Sequence, residues 1–442
     1  MNAQFLRLSM VSKKQFAVLG RFSLLFSLVC FGASAASTDK EIVVLTTFSQ
    51  EPLSILIDEF KLRHPDAEVR FIHRRSESSI QLLGKTYMQD IDLVLSSSPF
   101  LMQKLSESER LGDVAQHETL PSWMSPYVLP PQQQVLTIGY SGAGIVWNRD
   151  YLQAHQLNIP ERFIDLTRSQ YFGHITMSTP SRSGTTQMMV ESILSRYGWQ
   201  DGWRILINIG ANLATISSRS FGVSDYIAKG QFGLGPTIDS YALLIQRKFD
   251  HVGFAFESDF TLMPTYIAKT QRASADPLVD DFMAMLLSAP MQESLGKNSF
   301  AKFSLHDTER KDGDHPALNI SAIMQREVLT NHLFDLAITK RLPELKDTWQ
   351  TIIQLRKAYA DNPAVLTQLE SIRQLAFDIP VSEAEVLEVS KQLALSSQQE
   401  MTDDGYAQAV VAEFSHRVSG ALHRQLASAN QRLQTLKKQG EE

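Results

Sequence analysis

The chain has 442 residues, of which 43% are hydrophobic and 20% charged, and a net charge of −6. That is globular composition in a chain too long for one core of ordinary size, so lobes are expected. The acidic balance excludes a general nucleic-acid binder. The single cysteine, Cys30, leaves no disulfide to form and no thiolate metal site.

Residues 1–35 read as a cleavable signal peptide. Arg7, Lys13, Lys14 and Arg21 form a basic leader without acids, and "FSLLFSLVCFGA" follows as a short apolar run. Ala33, Ser34 and Ala35 then supply small residues for cleavage after Ala35. Loss of the leader removes Cys30 and four basic residues, taking the net charge to −10. A soluble periplasmic chain is expected.

"EIVVLTTFS" (41–49) predicts a strand ending in hydroxyls, and "PLSILIDEFKLRHP" (52–65) a helix framed by prolines. "AEVRFIH" (67–73) is strand-like, and "RRSESSIQLLGKTYM" reads as loop then helix. "DIDLVLSSS" (90–98) is another strand ending in hydroxyls. This alternation predicts an α/β lobe with a mostly parallel sheet. "VLTIGYSGAGIVWNRDYL" (135–152) predicts two strand-like halves around a glycine-containing turn, and a second alternating series begins there. Its strands are "HITMS", "LATIS", "FGLGPTID" and "HVGFAFE", and its helices "TTQMMVESILSRYG", "FGVSDYIAKG" and "SYALLIQRKF". No Pro-, Gly- or Ser-rich linker intervenes, which predicts two lobes joined by extended strands. The first lobe is expected over 36–140 and 253–330, and the second over 141–252. Helical spacing dominates from about 276, and a C-terminal helical extension is expected over 331–442. There "DTWQTIIQLRKAYA", "NPAVLTQLESIRQLA" and "VSEAEVLEVSKQLAL" precede a long tail. Val411, Phe414, Val418, Leu422, Leu426 and Leu433 give that tail an apolar stripe that requires cover.

The strand ends carry the chemistry. "TTFS", "HRRSESS", "SSS", "STPSRSGTT" and "SSRS" fall where ligands sit in parallel α/β sheets, outside the carboxyl ends of the strands. Any one of them is equally consistent with routine helix capping. Five together, four without an acid, point to a polar anion. The strongest is "STPSRSGTTQ" (178–187), where Arg182, Ser183, Gly184 and Thr185 open a helix. A helix start presents free N–H groups and a positive dipole end, and arginine adds a planar fork for phosphate or carboxylate. Arg74, Arg75 and Ser76 are as consistent with a solvated turn as with a second clamp. Asp239 is a candidate for a hydroxyl ligand, or caps the following helix. No Walker loop occurs, "GYSGAG" fails the nucleophile-elbow pattern at Ala143, and no H-E-x-x-H is present. No catalytic residue, cofactor or metal is called for.

These segments, spanning about residues 41–302, resemble the periplasmic solute-binding proteins of the ferric-iron, aminoethylphosphonate and organophosphate type. The resemblance implies a type 2 binding-protein fold, two lobes closing on a ligand, and no enzymatic activity. Ferric members use neighbouring tyrosines, whereas Tyr226 and Tyr241 lie apart here. The "SRSGT" segment is similar to the phosphate loop of phosphorylated-ligand members. The extension looks most like members that regulate phosphoglycerate transport. The implied ligand is a small phosphorylated organic anion, and the implied partner a membrane sensor that induces the transporter. The alternative is the binding component of an ABC importer, working with its permease on hexose phosphate, phosphonate or ferric iron. On this reading Arg182, Ser183, Gly184 and Thr185 hold the phosphate. Arg74 or Arg75, with Ser76 and Ser78, holds the carboxylate, and Thr47, Ser49 and Ser97 meet the remaining oxygens.

Overall fold

The computed structural model describes residues 40–74, 78–79, 90–114, 120–129, 134–307, 314–398 and 404–439. The expected signal peptide, Arg75 and Ser76 lie outside them. The chain begins with β1 (Lys40–Thr46), α1 (Ser54–Arg63), β2 (Ala67–His73), β3 (Leu93–Ser96), α2 (Pro99–Glu107) and β4 (Val135–Ser141). It continues through β5 (Ala143–Asn148), α3 (Arg149–Ala154), β6 (Ile175–Met177), α4 (Gly184–Tyr197), α5 (Trp199–Asn212) and β7 (Leu213–Ile216). Then come α6 (Ser220–Ala228), β8 (Leu234–Ile238), α7 (Asp239–Gln246), β9 (Val252–Phe256) and β10 (Met263–Lys269). The rest is helical: α8 (Pro277–Leu287), α9 (Ala289–Ser294), α10 (Ile320–Ala337), α11 (Leu342–Ala358), α12 (Pro363–Phe377), α13 (Glu383–Gln398) and α14 (Asp404–Gln439).

Among the described residues two five-stranded sheets form, ordered β2-β1-β3-β10-β4 and β7-β6-β8-β5-β9. In the first, β1 runs parallel to β2 and β3, while β10 is antiparallel to both its neighbours. In the second, β6 runs parallel to β7 and β8, while β5 is antiparallel to β8 and β9. Ile42, Val43, Val44 and Leu45 are all buried, as required of a central parallel strand covered on both faces. The glycine-containing turn expected near Gly142 is instead a crossing: β4 belongs to the first sheet and β5 to the second. β9 keeps the chain in the second sheet to Phe256, past the boundary expected at 252.

The extension is anchored to the second lobe rather than trailing from it. Trp349 of α11 is buried and its indole N–H donates to Asn212 Oδ1 at 2.6 Å. The indole N–H of Trp199 donates to Val381 O at 2.8 Å. Phe414, Val418, Leu422, Leu426 and Leu433 of α14 are buried in the same apolar cluster, so the helices of the extension cover the stripe. Arg326 of α10 pairs with Glu191 of α4 at 2.8 Å and lies over the Trp199 ring at 5.3 Å. Both charges are buried, and burial pushes the Glu191 carboxyl up against the pull of Arg326.

Removing one partner of such a pair strands the other charge. Arg326→Leu should cost about 3–5 kcal/mol in urea unfolding, and Glu191→Leu together with Arg326→Leu should recover most of it.

Candidate ligand-binding cleft

Six parallel strands, three from each sheet, aim their carboxyl ends at one interlobe cleft. An inner chamber of about 50 Å³ is lined by Thr47 and Phe48 after β1, His73 at the end of β2, and Ser97 and Ser98 after β3. From the other side come Arg182, Ser183, Gly184 and Thr185 between β6 and α4, Arg219 and Phe221 after β7, and Ile238, Ser240 and Tyr241 at the end of β8. No carboxylate is among these residues.

The loop before α4 is organised by its own hydrogen bonds. The backbone N–H groups of Arg182 and Ser183 both donate to Thr179 O at 3.1 Å. Ser183 is the N-cap of α4, with Oγ accepting from Thr186 N at 3.1 Å. Capping and binding therefore coexist in one residue: the oxygen caps, and the hydroxyl hydrogen is left to donate. Gly184 and Thr185 occupy the first turn, where backbone N–H groups have no intrahelical acceptor. Their amides and the helix dipole suit an anion.

The lobes meet across the chamber. His73 places Nδ1 2.6 Å from Phe48 O, which assigns the proton to Nδ1, and Nε2 then accepts from Arg219 Nη1 at 2.7 Å. Arg219 also lies 5.5 Å over the Phe221 ring. Outside the chamber, Lys248 pairs with Glu51 at 2.6 Å. Thr47 shares a hydrogen bond with Ser96 at 2.9 Å, and Ser97 with Thr265 at 3.4 Å. Tyr241 is bonded to Ser49, and burial raises its phenol.

Thr47, Ser97, Arg182, Ser183, Gly184 and Thr185 are thus brought together. Ser49 is hydrogen-bonded to Tyr241 and does not line the chamber. Arg74 is exposed, donates to His73 O at 2.8 Å and does not line the chamber; Ser78 is also exposed and away from it. Asp239 is buried beneath the wall, where its Oδ2 accepts from Gly142 N at 2.5 Å. Sequence reasoning missed His73, Arg219, Phe221, Ser240 and Tyr241 as lining residues, although "HRRS" and "SSRS" marked two of the loops.

A second chamber of about 280 Å³ shares the Arg182–Gly184 wall and Ser98. Lys104 of α2, Gln187 of α4, and Glu327, Asn331 and Asp335 of α10 complete it. Lys104 pairs with Glu327 at 2.6 Å, and Ser181 donates to Asp335 Oδ2 at 3.0 Å. Among the described residues no cluster of His, Cys, Asp and Glu could hold a metal, and no helix is long and apolar enough to cross a membrane.

Residues 89–322 match the family model of the bacterial extracellular solute-binding proteins. The phosphoglycerate transport regulatory protein PgtC of Salmonella typhimurium is 32% identical over 363 residues, covering 80% of this chain and 89% of that protein. The solved structure of AfuA from Actinobacillus pleuropneumoniae, a periplasmic binding protein with fructose-6-phosphate bound, aligns with a TM-score of 0.58 at 14% identity. It covers 68% of this chain and 98% of its own. The periplasmic binding protein P5PA aligns with a TM-score of 0.56 at 16% identity, covering 67% and 99%. These likenesses establish a type 2 binding-protein fold, and leave about a third of this chain without a counterpart in either structure.

The His73–Arg219 bond joins the lobes across the cleft. Arg219→Ala should increase the radius of gyration measured by small-angle X-ray scattering, with unchanged circular dichroism. An unchanged radius would show that the bond does not hold closure.

Proposed function

We propose a ligand and a role for this chain on the premise that it belongs to the bacterial extracellular solute-binding protein family. It is a periplasmic receptor for a small organophosphate, a phosphoglycerate, and it reports occupancy to a membrane sensor that regulates phosphoglycerate transport. The family binds solutes and does not transform them.

The inner chamber's lining carries the ligand class. It offers two arginines from separate loops, the open amides of a helix start and several hydroxyls, without a carboxylate. A phosphoglycerate has two anionic groups, one for each arginine. Arg182 with the amides of Gly184 and Thr185 takes the phosphate, and Arg219 with Ser97 and Thr47 takes the carboxylate. Arg219 replaces Arg74 in that second role, because Arg74 is turned onto the His73 carbonyl. Since the ligand touches both lobes, it binds the closed state better and shifts the population toward it.

Two observations support the regulatory role. The identity with the Salmonella regulatory protein spans most of both chains. In addition, the loop bearing Arg182 touches the extension: Ser181 bonds Asp335 of α10, and His332, one turn earlier, meets Ser415 of α14 at 2.6 Å. Occupancy of the cleft is thereby coupled to helices that a membrane partner can read.

Arg182→Ala should weaken 3-phosphoglycerate binding in calorimetry roughly 10- to 100-fold, the worth of a lost charged hydrogen bond, with the fold intact by circular dichroism. Unchanged affinity would remove Arg182 from the site. Deleting the protein in its host should abolish induction of the phosphoglycerate transporter, while a transporter expressed constitutively still takes up ligand. Lost uptake with normal expression would favour the importer role.

A further inference from the structure

Lys302 lies beneath the cleft rather than on its wall. Its side chain is buried, with 1% of the residue exposed. An ammonium has three N–H donors to place. Lys302 Nζ donates to Ser141 Oγ at 2.9 Å and to Ser240 Oγ at 3.2 Å, and sits over the Phe48 ring at 4.7 Å and the Phe300 ring at 5.7 Å. Both hydrogen-bond partners are neutral hydroxyls, and Asp239 supports the charge through space. Three elements therefore converge on one cation: the end of β4 at the first crossing, the start of α7, and the loop after β1.

Burying an ammonium among neutral partners costs stability, and replacing such charges with apolar residues of similar size is often neutral or stabilising. This arrangement has a directional consequence. A serine oxygen that accepts from Lys302 must aim its own hydrogen elsewhere. Ser240 lines the inner chamber, as does Phe48, whose ring the cation faces. The remaining hydrogen of Ser240 is thus available to an anion in the chamber.

We infer that Lys302 is a positioning residue for the ligand: it polarises the Ser240 hydroxyl and turns it toward an anionic oxygen, as Nζ–H···Oγ–H···O⁻. The inference rests on the anion reading above. No proton changes owner in this relay. The charge is felt in the cleft although the ammonium never enters it, and Ser141 anchors the cation at the crossing about which the lobes meet. A neutral lysine would loosen the relay, and burial lowers the Lys302 pKa to about 8. Its charged form is present below that pH and is lost as pH rises through it. Ser141, Ser240, Phe48 and Phe300 do not titrate in this range; Asp239 is the titratable group facing it.

The test is calorimetric titration of wild type, Lys302→Met, Ser240→Ala and the double variant with 3-phosphoglycerate and with inorganic phosphate. Each single variant should lose roughly tenfold or more in affinity, and the double variant should be no weaker than Ser240→Ala. Wild-type affinity should fall as pH rises through about 8, and that fall should be absent from Lys302→Met. Ligand-free Lys302→Met should melt no lower than wild type. Wild-type affinity in Lys302→Met, or losses that add in the double variant, would overturn the relay while leaving the organophosphate reading intact. Should Lys302→Met not fold, Ser240→Ala decides: a retained fall above pH 8 overturns the relay. If wild-type protein binds neither probe, the organophosphate reading fails and this inference falls with it.

Discussion

The cleft depends on how the chain is held where it passes between its sheets. At the first crossing Gly142 N donates to Asp239 Oδ2 at 2.5 Å, and Gly142 O accepts from Asp239 N at 2.9 Å. This two-bond clip ties the crossing to the start of α7, one residue before Ser240. At the second crossing Glu257 N donates to Ala143 O at 3.0 Å, so the two crossing segments are bonded side by side. The Glu257 carboxylate then accepts from the backbone of Phe163 and Asp259, and burial raises its pKa. Buried carboxylates that accept from backbone amides cannot relax into water without leaving those amides unpaired. The pivot is therefore rigid at its centre, and the strand ends keep their aim.

From that pivot the rest follows by topology. Each parallel strand delivers its following loop to the same side of its sheet, so three loops from each lobe confront one another. The polar residues in those loops are hydroxylic or basic, set beside Phe48, Phe221, Ile238 and Tyr241, and Gly184 and Thr185 of α4 reach the same wall. A chamber with cations and no carboxylate favours anions on electrostatic grounds alone. The extension adds a third body to this two-lobe arrangement. α10 contacts the first lobe through Lys104–Glu327 and the second through Arg326–Glu191 and Ser181–Asp335. It therefore bridges the two lobes.

Much of this was legible in the sequence because strand ends are a one-dimensional feature. A β-rich run followed by serines and threonines marks where a loop leaves the sheet, and six of the proposed residues were found that way. What stayed hidden depends on orientation or long-range burial. Arg74 and Arg219 both follow strands, and nothing in the local sequence tells which guanidinium turns inward. Lys302 is 62 residues from Ser240, and a buried lysine looks like any other. Asp239 suits capping or ligand binding by position, but its partner Gly142 is 97 residues away. α5 was missed because it opens directly after Gly198 and runs directly into β7, so no loop sets it off from its neighbours. α10 was missed because Arg326, Glu327 and Thr330 are buried on its packed face and interrupt the apolar spacing. Gly198, with φ +76°, closes α4 and opens α5 at once, so the two helices meet without a connecting loop.

A crystal structure of the protein with 3-phosphoglycerate tests the central claim most directly. The account predicts a phosphate within hydrogen-bond distance of the Gly184 and Thr185 amides and of Arg182. It predicts the carboxylate at Arg219, and the Ser240 hydroxyl on a ligand oxygen. A ligand seated only in the larger chamber beside α10, or none in the cleft at saturating concentration, would contradict it.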